Sequence, residues 1–259
     1  MLAAGQSVNL VLLAALLAGT ALIIASACVF NNYIDRGIDA RMARTKDRAL
    51  VSGAISGRNA LIFASLLGLI GVYILAVFTN YLTLLIGLFG FVSYVVVYGY
   101  AKRKTWWGTL VGAVPGATPI IAGYVAVTGR LDLAAFLLFL ILVTWQMAHF
   151  YAIATYRLKD YKQAAIPVLP AVKGVRNTQI QISLYALLFF IATIGLYVFG
   201  YTGYVYLVIM TVVSLAWLRL AILGCRATDV TKWAKGVFLF SLVVIAVFSL
   251  LLGLEAWLP

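Results

Sequence analysis

The chain has 259 residues, 65% of them hydrophobic and only 10% charged, with a formal net charge of +12. A water-soluble core of this size has no use for so much apolar surface, so the composition excludes an ordinary soluble enzyme and points to a polytopic membrane protein. In a soluble protein this charge would suggest nucleic acid, but here topology accounts for it and no nucleic-acid partner is expected.

Apolar runs mark eight spans, at about 8–30, 59–79, 81–101, 107–127, 133–156, 178–199, 203–224 and 236–256. They are continuously apolar, which fits bilayer-crossing helices and not the alternating strands of a barrel. The expected fold class is therefore all-α, a polytopic transmembrane helix bundle. Of the 19 basic residues, those in 31–58, 102–104 and 157–176, with Arg219, Arg226, Lys232 and Lys235, fall on one side of such a bundle. Arg130 alone falls on the other, so the basic side is expected to be cytoplasmic.

Met1–Ser7 leads straight into the first span, which would enter from outside; without a basic n-region it does not resemble a cleavable signal peptide. The first span runs into Asn31-Asn32-Tyr33-Ile34-Asp35-Arg36-Gly37-Ile38-Asp39, followed by Arg41, Arg44, Lys46 and Arg48. On a helix Asn31, Asp35 and Asp39 share one face. A carboxamide and two carboxylates offer the hard oxygens that Mg²⁺ takes together with substrate phosphates and waters. The basic run beside them suits the remaining phosphate oxygens. A solvated, charge-compensated loop at the membrane surface is the plainer alternative. Further along, Ser56 is placed to cap the second span.

Tyr94 and Tyr98 fall one helical turn apart, and Lys102-Arg103-Lys104-Thr105-Trp106-Trp107 forms the second basic loop, both compatible with an interfacial aromatic belt. The fourth span carries Gly112, Pro115, Gly116, Pro119 and Gly123. Its prolines are expected to break the backbone ladder, an irregularity tolerated only where protein or a cavity covers it, so this helix is expected to line a chamber. Trp145-Gln146-Met147-Ala148-His149-Phe150 places Gln146 and His149, the single histidine, within a span, where polar groups are a site hypothesis by default. Cys28 and Cys225 form no CxxC and read as small packing residues.

Asp35 and Asp160 stand 125 residues apart, each just past a span emerging on the basic side. Each is followed by two spans and another basic loop, an internal repeat that would put the site where two halves meet. The second half counts two spans before its acid and the first only one, so a helix preceding the first span is expected to be missing.

At these residues the chain resembles the intramembrane aromatic prenyltransferase superfamily, whose first motif, NxxxDxxxD, is met by Asn31, Asp35 and Asp39. Within it the haem-farnesylating branch is the most similar, on CVFNNYIDRGIDARMARTKDRAL, YAKRKTWWGTLVGAVPGATPIIAGYVAVTG and WQMAHFYAIATYRLKDYKQAAIPVLPAVKG, from about residue 20 onward. The resemblance implies a single prenyltransferase domain over 1–259, usually of nine helices, in a bacterial inner membrane. It implies farnesyl transfer from farnesyl diphosphate to a vinyl group of haem B, with addition of water, giving haem O for a terminal oxidase. Implied partners are the bilayer, both substrates, and haem A synthase or oxidase assembly. Ala164 stands where other branches carry the second acid of DxxxD, which argues against quinone or chlorophyll prenylation. Ala148 and Ile120 replace prolines common in the family, and its usual first helix with a Lys-Pro entry is absent.

On this resemblance Asn31, Asp35, Asp39 and Asp160 would hold Mg²⁺ against the diphosphate. Arg44, Arg48, Lys102, Arg103, Arg157 and Lys159 would take its remaining charge. Tyr98, Trp107 and Tyr161 are the nearest aromatic faces for an allylic cation, and His149 would contact haem or orient a water. A transporter, or a haem-handling assembly factor, would share the topology. No carboxylate sits mid-span as a coupling site would, and an assembly factor has no need of the Mg²⁺ carboxylates.

Overall fold

The computed structural model describes residues 9–257, and no strand occurs among them. The Met1–Ser7 entry lies outside the described residues. Eight helices are long and apolar enough to cross a membrane, so the chain is an integral membrane protein. By contacts it divides into two compact units of four spans each, one of Asn9–Arg130 with Lys159–Val168, the other of Leu131–Leu158 with 169–257. The fourth span, counted from sequence into the second half, packs in the first unit.

In the first unit α1 is Leu10–Asp39, α2 Gly57–Phe78 and α3 Tyr81–Val92; a π-helical stretch at Ser93–Tyr98 leads into α4, Gly99–Lys104, and α5 is Gly108–Thr128. At 1.5 Å per residue the 30 residues of α1 extend about 45 Å, beyond a hydrocarbon core of about 30 Å. The helix therefore continues nine residues past the span expected from hydropathy, and the acidic motif is helical. Polar caps start these helices: Asn9, Ser56 and Asn80 accept from the backbone N–H groups of Leu12, Asn59 and Thr83 at 3.0, 3.2 and 2.9 Å.

α1 and α2 approach closely because small residues meet at their crossing. Ser26 Oγ donates to the Ala64 carbonyl at 2.7 Å. A Cβ added to Gly71 would lie 2.9 Å from the Gly19 carbonyl oxygen. Asn80 Nδ2 donates to the Val125 carbonyl at 2.7 Å, tying the start of α3 to the end of α5. The prolines do not interrupt α5, which is continuous across Pro115 and Pro119. Pro119 has no N–H for the carbonyl of Pro115, and Thr118 Oγ1 supplies that missing donor at 2.8 Å. At Pro119 a side chain stands in for the lost ladder bond, and the helix as a whole stays continuous although each proline removes a backbone donor. Gly129, at φ +68°, ends the helix in the left-handed conformation.

In the second unit α6 is Leu133–Tyr156; the short α7, Leu158–Gln163, and α8, Leu169–Val172, precede α9, Val175–Val198, α10, Tyr204–Leu223, and α11, Val230–Leu254. Asp132 caps α6 and Asp229 caps α11. Buried indoles join the last helices: Trp217 Nε1 donates to the Val237 carbonyl at 3.2 Å and Trp233 Nε1 to the Leu220 carbonyl at 2.8 Å. Gln179 Nε2 donates to the Gly224 carbonyl at 2.7 Å. Cys225 is half-buried, whereas Cys28 is exposed on α1 and not packed as its residue type suggests.

Candidate active site

The last three turns of α1 present Asn31, Asp35 and Asp39 one above another, as their four-residue spacing dictates. Asp35 and Asp39 are both buried, at 8% and 6% exposure, so each needs a compensating partner. α4 supplies them for Asp35. Lys102 Nζ donates to Asn31 Oδ1 at 2.5 Å and also pairs with Asp35 Oδ2. Arg103 donates to Asp35 Oδ1 at 2.7 Å and to the Ile34 carbonyl at 2.8 Å. The π-helical stretch before α4 changes the residues per turn, and so resets which face the chain carries into Lys102 and Arg103.

The loop after α1 compensates Asp39. Arg48 Nη1 donates to Asp39 Oδ2 at 2.6 Å and to Asn32 Oδ1 at 3.0 Å. Thr45 Oγ1, fully buried, donates to the Asp39 carbonyl at 2.9 Å and fastens the loop to the helix end. Neither Asn32 nor Thr45 stands out in the sequence; both sit among residues whose charges dominate the reading.

Tyr98 adjoins this cluster, with Lys102 Nζ 4.9 Å from its ring centre and the Tyr94 ring 5.4 Å away, tilted by 31°. Gly112 gives it room, since a Cβ there would lie 2.8 Å from the ring. The tyrosine pair thus packs within the unit, beyond a belt role. Lys159–Val168 groups with the same unit. It brings half-buried Asp160 and Tyr161, with Tyr161 in electrostatic range of Tyr98, and an exposed Lys159.

The remaining expected residues have other surroundings. Arg44 is exposed and forms no ion pair with a described residue. Trp107 is 46% exposed and stacks on Trp106 at 3.9 Å. Arg157 belongs to the second unit, where it ends α6 with its guanidinium 5.3 Å from the Tyr156 ring centre. His149 is also in that unit, buried on α6. Its Nδ1 lies 2.6 Å from Ser241 Oγ of α11, and Trp145 stacks on its ring at 4.7 Å. Ser241, 92 residues away, has no signal in the sequence at all.

Helical spans with a carboxylate–cation cluster at the end of one of them define an integral membrane protein whose buried acids are compensated where that helix ends. The chain belongs to the UbiA prenyltransferase family, whose sequence pattern matches residues 1–251. It is 46% identical over 256 residues to the protoheme IX farnesyltransferase of Yersinia pseudotuberculosis serotype O:1b, covering 98% of this chain and 87% of that one. Its fold is similar to a structure from work on digeranylgeranylglyceryl phosphate synthase in membranes, at a TM-score of 0.81, 19% identity and coverage of 96% and 87%. A UbiA homologue from Archaeoglobus fulgidus bound to GPP and Mg²⁺ also shares the fold, at a TM-score of 0.65, 15% identity and coverage of 95% and 89%.

Proposed function

We propose that this chain transfers a farnesyl group from farnesyl diphosphate to a vinyl group of protohaem IX, acting as one prenyltransferase domain in a bacterial inner membrane with its basic loops in the cytoplasm. The observation that carries this reading is the near full-length identity to protoheme IX farnesyltransferases, joined to the acidic and basic groups gathered at the end of α1. Water addition would make the product haem O.

The donor set fits Mg²⁺. Asn31, Asp35 and Asp39 offer hard oxygens from successive turns of one helix, and two carboxylates leave room for phosphate oxygens and water. Among the described residues no group of three or more His, Cys, Asp and Glu gathers, so a site closed by protein ligands alone is not on offer. When bound, the ion supplies electrostatic stabilisation of charge gathering on the departing diphosphate. Asp160, from the segment that packs with this unit and expected beside Asp35 and Asp39, does not gather with them into such a group, and it remains a further carboxylate candidate only.

The chain's own groups do the rest. The farnesyl C1–O bond breaks and its electron pair leaves with the diphosphate. Lys102, Arg103 and Arg48 meet the growing negative charge, with Arg44, Arg157 and Lys159 as further cations. Tyr98, Tyr161 and Trp107 offer aromatic faces to the allylic cation. The haem vinyl forms the new carbon–carbon bond, water adds to the cation left on the haem side, and that water loses a proton. The test is to supply membranes containing the chain with haem B, farnesyl diphosphate and Mg²⁺ and to identify haem O by mass. Asp35→Ala and Asp39→Ala should each abolish most of it. No haem O from the unaltered chain overturns the reaction assigned, and full product in EDTA overturns the role given to Mg²⁺.

A further inference from the structure

Ser241 Oγ carries a single proton and takes part in two short hydrogen bonds. It donates to the Phe238 carbonyl at 2.6 Å, one turn back on α11. It also lies 2.6 Å from His149 Nδ1. With its proton committed to the carbonyl, the hydroxyl can only accept from the ring, so His149 carries its proton on Nδ1. The Ser241 carbonyl meanwhile accepts from Trp145 Nε1 at 2.8 Å. One residue of α11 therefore fixes both the imidazole and the indole stacked on it at 4.7 Å and 25°. Phe238 and Phe150 close further sides of the ring, at 5.0 and 5.2 Å.

His149 Nε2 is left as an acceptor. No described residue bonds to it, and it is not among the side-chain nitrogens sealed from solvent without a partner. The residue as a whole is only 7% exposed, so this nitrogen is the polar atom that a buried side chain turns to accessible space. A neutral imidazole whose Nδ1–H is held by an oxygen acceptor, with Nε2 bare, is the arrangement in which histidine binds a transition metal. Histidine is also a common axial ligand of haem iron.

We propose that His149 Nε2 coordinates the iron of the substrate haem, and that Ser241 is the positioning residue that makes this nitrogen available. This rests on haem being the acceptor, as proposed above. It gives the protein a grip on the centre of the macrocycle, independent of the reacting vinyl, and favours porphyrins whose metal takes an axial imidazole over the metal-free ring.

The test uses the full chain in nanodiscs, titrated with haem B in the absence of farnesyl diphosphate. Ferrous haem should show an Fe–N(His) stretch by resonance Raman. His149→Gly should lose it and imidazole should restore it, along with haem affinity. Ser241→Ala, which removes one buried hydroxyl, should keep the band but shift it to lower frequency, since the ligand loses the acceptor that raises its basicity. Haem should also bind about tenfold more weakly in that variant, the lower end of the usual loss when such a partner is removed. A purely structural Ser241 would leave the band in place. Zinc protoporphyrin IX, whose metal also takes an axial imidazole, should bind more weakly to His149→Gly than to the unaltered chain, and the metal-free ring should bind equally to both; equal loss of all three rings overturns coordination through His149. Haem O formed by a chain whose haem spectrum is indifferent to His149 overturns this inference and leaves the proposed reaction standing. Absence of haem O from the unaltered chain overturns the reaction itself.

Discussion

On the proposed function the cations around Asp35 change partners when substrate arrives, and Lys102→Met would expose that exchange. Without ligand, Lys102 holds Asn31 and Asp35 while Arg103 holds the other Asp35 oxygen. The lysine side chain is 13% exposed and the arginine 33%, so the lysine bond is the less screened of the two. Deleting it removes the charge-assisted hydrogen bond to Asp35, worth about 1.5–3 kcal/mol, together with the one to Asn31, and leaves Asp35 compensated by Arg103 alone. The fold should therefore survive. Removing both cations would strand a buried carboxylate at a cost of about 3–5 kcal/mol. If Lys102 moves onto the diphosphate in the working complex, the same 1.5–3 kcal/mol is lost from substrate binding. That raises KM for farnesyl diphosphate roughly 10- to 150-fold, at about 1.4 kcal/mol per tenfold.

The exchange has a second signature, in Mg²⁺ alone. In the unaltered chain both Asp35 oxygens are already engaged, so Mg²⁺ without diphosphate should change thermal stability little. In Lys102→Met one oxygen is released, and Mg²⁺ alone should raise the melting temperature while added pyrophosphate contributes less than before. Tryptophan fluorescence melts of the purified protein, in four combinations of Mg²⁺ and pyrophosphate, would measure both effects. Equal stabilisation of the two proteins by Mg²⁺ alone, with an unchanged KM, would refute the reasoning.

Three other outcomes are expected. Arg48→Ala should uncover Asp39 and release its bond to Asn32, costing about 1–3 kcal/mol because the arginine is 37% exposed and water takes up part of its role, whereas Arg48→Lys should recover part of this; protease sensitivity of the 40–55 loop reads both. Gly71→Ala should force α1 and α2 apart, because the new methyl would meet Ile23 Cγ1 at 2.9 Å as well as the Gly19 carbonyl; a loss of about 1–3 kcal/mol should appear as a lower melting temperature. Cysteines replacing Gly53 and Lys173 should be shielded from a membrane-impermeant thiol reagent in intact cells, while one replacing Thr202 should react; the opposite pattern would invert the assigned orientation.

What could be read in advance follows from the range of the forces involved. The four-residue spacing of Asn31, Asp35 and Asp39 and the capping role of Ser56 are local, and both appear in the structure as the chain order implies. Hydropathy marks where the apolar residues stop, near residue 30, and is silent on where α1 ends, since a helix can continue through Asp35 and Asp39 once other elements neutralise them. Thr118 restoring the donor that Pro119 lacks is local too, but a threonine beside a proline does not announce that role. Ser241 is beyond sequence reasoning of this kind, since its partner lies 92 residues away and a serine within an apolar helix usually bonds its own backbone.

The basic residues show a subtler limit. Lys102, Arg103 and Arg48 read from sequence as groups waiting for phosphate, and the ligand-free structure sets each of them on a carboxylate instead. The two readings are consistent because a buried acid must be neutralised whether or not substrate is present. On the proposed function, Mg²⁺ and diphosphate arriving together would bring a cation for the acids and an anion for the bases. They can then replace internal ion pairs without leaving either set of charges uncovered. Sequence reveals which charges are conscripted; only the fold shows how they compensate one another until that exchange takes place.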